Sequence, residues 1–328
     1  MKKSNRRSCS NVGNKFIEKP WDEGMDWAIL LDIMNAHYKY LSSEFYVKIT
    51  KNTFERIFGK ESILSRDILK FENEAGDLIG FSGVSNISGT SSSWRLFIAI
   101  LPEYYKTQLP QQVIEASILL SRNLKIEELT TYTEGPRAAP FNQAFKNLGI
   151  DPLLYLLQMH LTDFKDDYSS IIPQGVKIRN LKEIDDYRQF ISVNNNAFQP
   201  VPGFQPTTIE KMKEIQDYRK KQREIEYLFT YESDDLIGFC IIEYDPKRVI
   251  GYIQSLAVHP KYQNRGIGRY LAIEAINIFK LKNCKRIELQ AVTDNKNAVT
   301  LYQSLGFRSI EKMKIICYKI STSSKNAE

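Results

Sequence analysis

Gln254 to Val258 is a short, mostly apolar run, and beyond Pro260 the apolar positions return with a different rhythm at Leu271, Ala272, Ala275, Ile276 and Phe279. The first pattern predicts a buried strand. The second predicts an amphipathic helix from about Arg269, because spacings of three and four residues bring side chains to one face. Pro260 closes the strand. A second strand and helix follow: Arg286 to Val292 reads as a strand, and Ala298, Leu301 and Tyr302 share one face of a helix that starts near Asn295. Gly306 falls where a helix C-cap is expected.

The segment joining the first strand to its helix reads Gln263-Asn264-Arg265-Gly266-Ile267-Gly268-Arg269. Its two glycines stand at the helix entrance, where unpaired backbone N–H groups and the positive end of the helix dipole favour an anion. Gly-x-x-x-x-Gly-Lys-Ser/Thr is absent, and so is Gly-x-Gly-x-x-Gly with a following acidic residue, so neither a P-loop nor a dinucleotide fold is indicated.

At 328 residues the chain suits two domains. Asp77-Leu-Ile-Gly-Phe81 recurs as Asp235-Leu-Ile-Gly-Phe239, and Pro102-x-Tyr104 recurs as Pro260-x-Tyr262, both 158 residues on. Phe145-x-x-x-Gly149 lies under Tyr302-x-x-x-Gly306 at nearly the same offset. In the first copy Gln108 and Pro110 stand where the second has Gly266 and Gly268, and Phe145 stands in place of Tyr302. Gln108 adds a side chain at the anion position, Pro110 removes a backbone donor, and Phe145 lacks the hydroxyl of Tyr302. The expected boundaries are a first domain at 1–164 whose copy of the loop is degenerate, a polar linker at 165–174 containing Asp166, Asp167, Ser169, Ser170 and Pro173, and a second domain at 175–328, the one that would be catalytic if the intact loop serves a reaction.

Together, Leu256-Ala257-Val258, Gln263-x-x-Gly266-x-Gly268 and Asn295-x-x-Ala298-x-x-Leu301-Tyr302-x-x-x-Gly306-Phe307 resemble the GNAT acyltransferase superfamily, over the C-terminal half of the chain. The resemblance implies an α/β (α+β) fold of two tandem GNAT domains, each a mixed central sheet flanked by helices. In the C-terminal copy it implies a splayed strand pair holding acyl-CoA. Acetyl-CoA is then the expected cosubstrate, with its pyrophosphate on Gln263, Asn264, Arg265, Gly266, Ile267, Gly268 and Arg269. Its pantetheine would run along Leu256, Ala257 and Val258, with Asn295 and Ala298 closing the cleft. A backbone N–H near Leu256 is expected to stabilise the oxyanion.

The resemblance also assigns chemistry. Tyr302 is the expected acid for the departing thiolate, its phenol having an ordinary pKa of ~10. Some members carry a glutamate as base five residues before the alanine of the fourth strand, and here that position is Tyr252. Glu243 and Glu288 are the substitutes, acting directly or through water. Phe198 and Phe204, in an aromatic and proline-rich segment, are expected with Tyr252 to meet the acceptor. The implied activity is an acetyl-CoA-dependent N-acetyltransferase acting on a primary amine of a small molecule or peptide by direct attack in a ternary complex. The alternatives are a non-catalytic acyl-CoA sensor or scaffold, and an aminoacyl transferase using charged tRNA.

Composition narrows the partners. A net charge of +6, from 45 basic and 39 acidic residues, is too small to indicate nucleic acid without a clustered patch. Lys2, Lys3, Arg6 and Arg7 cluster with no apolar run behind them and read as a solvated tail. No run approaches ~18 apolar residues, so no membrane span is expected. Cys9, Cys240, Cys284 and Cys317 lack Cys-x-x-Cys spacing, and His37, His160 and His259 lack metal spacing; no metal and a cytoplasmic location are expected. His259 is expected to be a turn residue.

Overall fold

The computed structural model describes residues 16–20, 27–42, 48–51, 68–86, 94–165, 167–169, 171–220 and 224–322. The basic run from Lys2 to Arg7, Cys9, Asp166 and Ser170 lie outside the described residues. The chain forms two compact units, one of residues 1–151 with 318–328 and the other of 152–317.

The first unit contains β1 (Ile17–Pro20), α1 (Trp27–Ser42), β2 (Ile68–Glu72), β3 (Leu78–Asn86), β4 (Trp94–Ile100), α2 (Leu109–Asn123), β5 (Glu128–Glu134) and α3 (Ala139–Asn147). Its strands run in the order β1-β2-β3-β4-β5, and residues from 318 to the end of β12 (Arg308–Ser321) follow β5. Tyr318 stacks on Phe145 with ring centroids 4.1 Å apart, and Thr322 N–H donates to the Glu127 carbonyl at 2.9 Å.

The second unit contains β6 (Pro152–Leu161), β7 (Val176–Leu181), α4 (Tyr187–Phe198), α5 (Ile209–Lys220), β8 (Glu224–Glu232), β9 (Asp235–Asp245), β10 (Ile250–Val258), α6 (Ile267–Leu281), β11 (Arg286–Val292), α7 (Lys296–Ser304) and the first part of β12. Its strand order is β12-β6-β11-β10-β9-β8-β7. All pairs of known register are antiparallel except β10 with β11, which is parallel. The duplication is visible in the elements: β4, α2 and β5 end at Ile100, Asn123 and Glu134, and β10, α6 and β11 end 158 residues later at Val258, Leu281 and Val292.

The compact units do not divide at 165–174. The strand that closes the first half of the sequence, β6, pairs with β11 from Leu156 to Leu161 and so belongs to the second unit, while the chain's last described residues belong to the first. The expected linker is itself anchored. Tyr168 is buried, its hydroxyl donates to the Leu305 carbonyl at 3.2 Å, and its own carbonyl accepts from Asn277 Nδ2 at 3.2 Å.

β9 is buried along almost its whole length because helices cover both its faces. On one face Ile237, Cys240 and Ile242 pack with Leu271, Ala275 and Phe279 of α6. On the other, Phe239 and Ile241 pack with Phe190 and Val193 of α4. Leu271, Ala272, Ala275, Ile276 and Phe279 are all fully buried, as their spacing predicts, and each large apolar side chain contributes about 1.5–3 kcal/mol. Gly251 lets α6 approach the sheet, since a Cβ there would meet the Phe279 ring at 2.5 Å. Asp186 caps α4 through the N–H groups of Arg188 and Gln189, which hold its carboxyl below the usual range. Among the described residues no helix is long and apolar enough to cross a membrane.

Candidate active site

The cleft of the second unit originates in a break in the sheet. β10 pairs with β11 only from Ile250–Arg286 to Ile253–Leu289. Against β9, the register jumps between Ile253 and Ser255, so Gln254 is the extra residue of a β-bulge. A bulge bends its strand and ends local pairing. Beyond it, the halves Ser255–Val258 and Gln290–Val292 diverge and line a cleft of about 630 Å³. This is the splayed pair expected of β10 and β11.

At one part of this cleft lies the entrance of α6. Its N-cap, Gly266, has φ +81°, and no side chain caps the helix. Asn264 is also left-handed, at φ 62°. A Cβ on Gly266 would meet nothing within 4 Å, so the backbone conformation, not packing, calls for glycine there. Alternating left-handed residues turn successive N–H groups inward to form an anion nest, and the first turn of the helix adds its unpaired donors. Gln263 ties the loop down, its Nε2 donating to the Val258 carbonyl at 3.0 Å. Arg269 Nη1 donates to Ser304 Oγ at 2.8 Å, joining α6 to α7.

The opposite wall is α7. Asn295 caps it by accepting from Ala298 N–H at 3.1 Å, and Gly306 at φ +99° ends it with the Phe307 N–H returning to the Tyr302 carbonyl. Tyr302 is only 7% exposed, packs edge-on to Phe307 and lines the cleft with Ala298 and Leu301. Burial, with a smaller contribution from Cys240, pushes its phenol above the usual range, so it keeps its proton.

Of the residues singled out in the sequence, Leu256, Ala257, Val258, Gln263, Asn264, Gly266, Ile267, Gly268, Arg269, Asn295, Ala298, Tyr302 and Phe198 line this one cleft. Arg265 does not: its guanidinium pairs with Glu232 at 2.6 Å and lies over the Tyr262 ring. Phe204 stands behind Phe198, ring centroids 6.1 Å apart, rather than in the cleft. Asn195 clips this loop by a two-way amide pairing with Thr207, at 3.1 and 3.0 Å. Glu243, Tyr252 and Glu288 also lie outside the lining, but the structure gathers them: Tyr252 is in register with Glu243 on one side and Glu288 on the other. Both carboxylates are buried, at 4% and 7% exposed. Glu288 is engaged by Arg286, and the Tyr252 hydroxyl accepts from Arg248 at 2.9 Å. His259 is a turn residue, its Nδ1 accepting from Lys261 N–H. Among the described residues no cluster of three His, Cys, Asp or Glu could hold a metal.

The polar lining residues not singled out in the sequence include Gln254, Gln290 and Asn297. Gln254 had a visible signal, a polar side chain inside an apolar strand; the others had none. In the first unit, β4 and β5 also part early, pairing only at Trp94–Leu129 and Arg95–Thr130. A cavity of only about 30 Å³ lies there, lined by Leu96 and Ile98 of β4, Thr131 and Thr133 of β5, and His37, Phe141 and Phe145. Thr107 Oγ1 accepts the Leu109 N–H at the entrance of α2, giving that helix start a partner that α6 lacks.

Residues 192–307, which contain this cleft, match the model of the acetyltransferase (GNAT) family. The chain carries a GNAT acetyltransferase domain. Mycothiol acetyltransferase of Renibacterium salmoninarum is 26% identical over 255 residues, 76% of this chain and 74% of the relative. The enzyme of that name from Saccharomonospora viridis is 21% identical, covering 75% of this chain and 82% of the relative. Among solved structures, a GCN5-related N-acetyltransferase from Sphaerobacter thermophilus superposes with TM-score 0.70 at 15% identity, covering 94% of this chain and 96% of that one. A tandem GNAT protein from the clavulanic acid biosynthesis pathway gives 0.66 at 13%, covering 95% and 99%. These likenesses establish the fold along nearly the whole chain, including the residues outside the family match. The GNAT domain makes this protein an acyltransferase (EC 2.3.1), and its family uses acetyl-CoA as cosubstrate. The GNAT cleft suits that molecule on its own geometry: an uncapped helix entrance for phosphate continues into a gap between strand edges.

Proposed function

We propose that the second unit transfers an acetyl group from acetyl-CoA to a primary amine of a small molecule or peptide, by direct attack with both substrates bound. The observation that carries this reading is one cleft containing both an uncapped helix entrance at Gly266 and a buried, protonated Tyr302. Acetyl-CoA supplies the acetyl thioester. The N–H groups of Ile267, Gly268 and Arg269 receive its pyrophosphate. Backbone groups of Leu256 and Val258 pair with pantetheine, and the N–H near Leu256 stabilises charge on the carbonyl oxygen. Tyr302 Oη gives its proton to the departing sulfur, and the proton that the attacking nitrogen loses passes to water and restores the phenol. The first unit, in which Gln108 and Pro110 stand at the entrance of α2 and aromatic side chains crowd the gap between β4 and β5, has a structural role in this reading.

The test is release of free CoA thiol from acetyl-CoA with glucosamine, glycinamide and spermidine as acceptors, beside calorimetry of acetyl-CoA binding. Gly268→Glu sends a carboxylate into the phosphate end and should weaken binding at least ~10-fold, or ~1.4 kcal/mol. Gly268→Ala is the control, because its Cβ meets Leu256, Val258 and Leu301 at ordinary distances of 3.7–3.8 Å. Unchanged affinity in a folded Gly268→Glu protein would remove the loop from the site. Binding with no CoA release from any acceptor would favour the sensor reading.

A further inference from the structure

The bulge that opens the cleft also delivers a functional group into it. Gln254 is exposed, lines the cleft, and donates from Nε2 to Glu243 Oε2 at 3.2 Å. A carboxylate only accepts hydrogen bonds, so the nitrogen end of the amide is the one that faces Glu243. The amide's orientation is thereby set, and Oε1, its other branch, is left as an acceptor on the side away from Glu243. Across the gap stands Gln290, whose Nε2 donates to Gln158 Oε1 at 3.2 Å. The last paired residues of the two strands are Ile253 and Leu289. Gln254 and Gln290 are the next residue on each, so their carboxamides flank the vertex where the strands part. Leu256, the expected neighbour of the oxyanion donor, is two residues further along the same strand. Among the cleft-lining residues, Arg269 is the one with a charged side chain, and it belongs to the phosphate loop.

We infer that Gln254 positions the acceptor amine, and that Glu243 acts through it by fixing the direction of its amide. This rests on the acetyltransfer reading above. Oε1 accepts an N–H of the incoming amine and turns the nitrogen lone pair toward the carbonyl carbon. It takes no proton itself, so the same bond persists as the amine changes protonation state. Orientation of this kind acts on the reaction rather than on cosubstrate binding. Gln254 is thus a binding and positioning residue for the acceptor, and Glu243, which the sequence offers as a base, is a positioning residue behind it.

The experiment compares wild type with Gln254→Met, which keeps length and removes the acceptor oxygen, Gln254→Ala, Glu243→Gln, and the double variant Gln254→Met with Glu243→Gln. Kinetics use whichever of glucosamine, glycinamide and spermidine wild type acetylates fastest, and acetyl-CoA affinity is measured by calorimetry. Both Gln254 variants are expected to lose at least ~10-fold in kcat/KM for the amine while the acetyl-CoA dissociation constant stays within about 2-fold. Glu243→Gln, whose amide can face Gln254 with either end, is expected to lose several-fold alone and nothing further beside Gln254→Met, the signature of one coupled pair. Full kcat/KM in Gln254→Met, or a Glu243→Gln loss of the same size in both backgrounds, overturns the assignment and leaves acetyltransfer standing. A wild type that binds acetyl-CoA and acetylates none of the three amines overturns acetyltransfer, and this assignment with it.

Discussion

Tyr302→Phe is expected to lower kcat roughly 10- to 1000-fold while leaving the acetyl-CoA dissociation constant almost unchanged. The substitution removes one oxygen and keeps the ring that packs edge-on to Phe307, so the wall of the cleft survives. Burial raises the phenol's pKa, so between about pH 6 and 9 the donor stays protonated and should contribute no falling limb to the activity profile. Handing a proton from a phenol of pKa ~10 to a thiolate of ~8.5 is uphill in water. In the cleft the loss of hydration raises the proton affinities of phenolate and departing thiolate alike, so the proton moves as the C–S bond breaks, and the proton lost by the attacking amine restores the phenol. Full turnover in Tyr302→Phe would leave the hydroxyl without a role and the ring as packing alone.

A fragment starting at residue 165, the boundary that the polar segment implies, should fail to fold into a protein that binds acetyl-CoA. It lacks β6, whose residues Leu156–Leu161 pair with Ile287–Val292. Met159 and Leu161 are fully buried in the core that α6 and α7 share, and losing both costs about 3–6 kcal/mol. That is a large part of the ~5–15 kcal/mol that stabilises an ordinary domain, and it leaves β11 as an open edge prone to aggregation. A fragment from residue 152 restores the strand and should recover more soluble protein and more binding. Soluble yield, far-ultraviolet circular dichroism and calorimetry of the two fragments decide it. Native affinity in the shorter one would show β6 to be dispensable.

The local parts of the site are legible in the sequence because each is written within a few residues. Pro260, the Gly266 turn, the apolar stripe of α6 and the Asn295 and Gly306 caps all depend on neighbours in the chain, and the structure has them at those positions. The 158-residue duplication is equally plain. Features that depend on strand pairing are not legible in this way. The allegiance of β6 to β11 is a contact between distant segments, as is the register that puts Tyr252 between Glu243 and Glu288. Which way a long side chain turns is set by what lies beside the loop. Arg265 has the right address for a phosphate ligand and turns to Glu232 instead.

The exchange of terminal strands sets the order in which the molecule can be finished as it is made. Residues 1–151 emerge first, yet their unit includes Tyr318 and the residues after it. At 5–20 residues per second the ribosome delivers these on the order of 10–30 s later. During that interval β5 waits without the strand that follows it, and Phe145 without the ring that stacks on it. The unit synthesised first is therefore the last to be sealed, and a message truncated just before codon 318 would leave it open however complete the second unit had become.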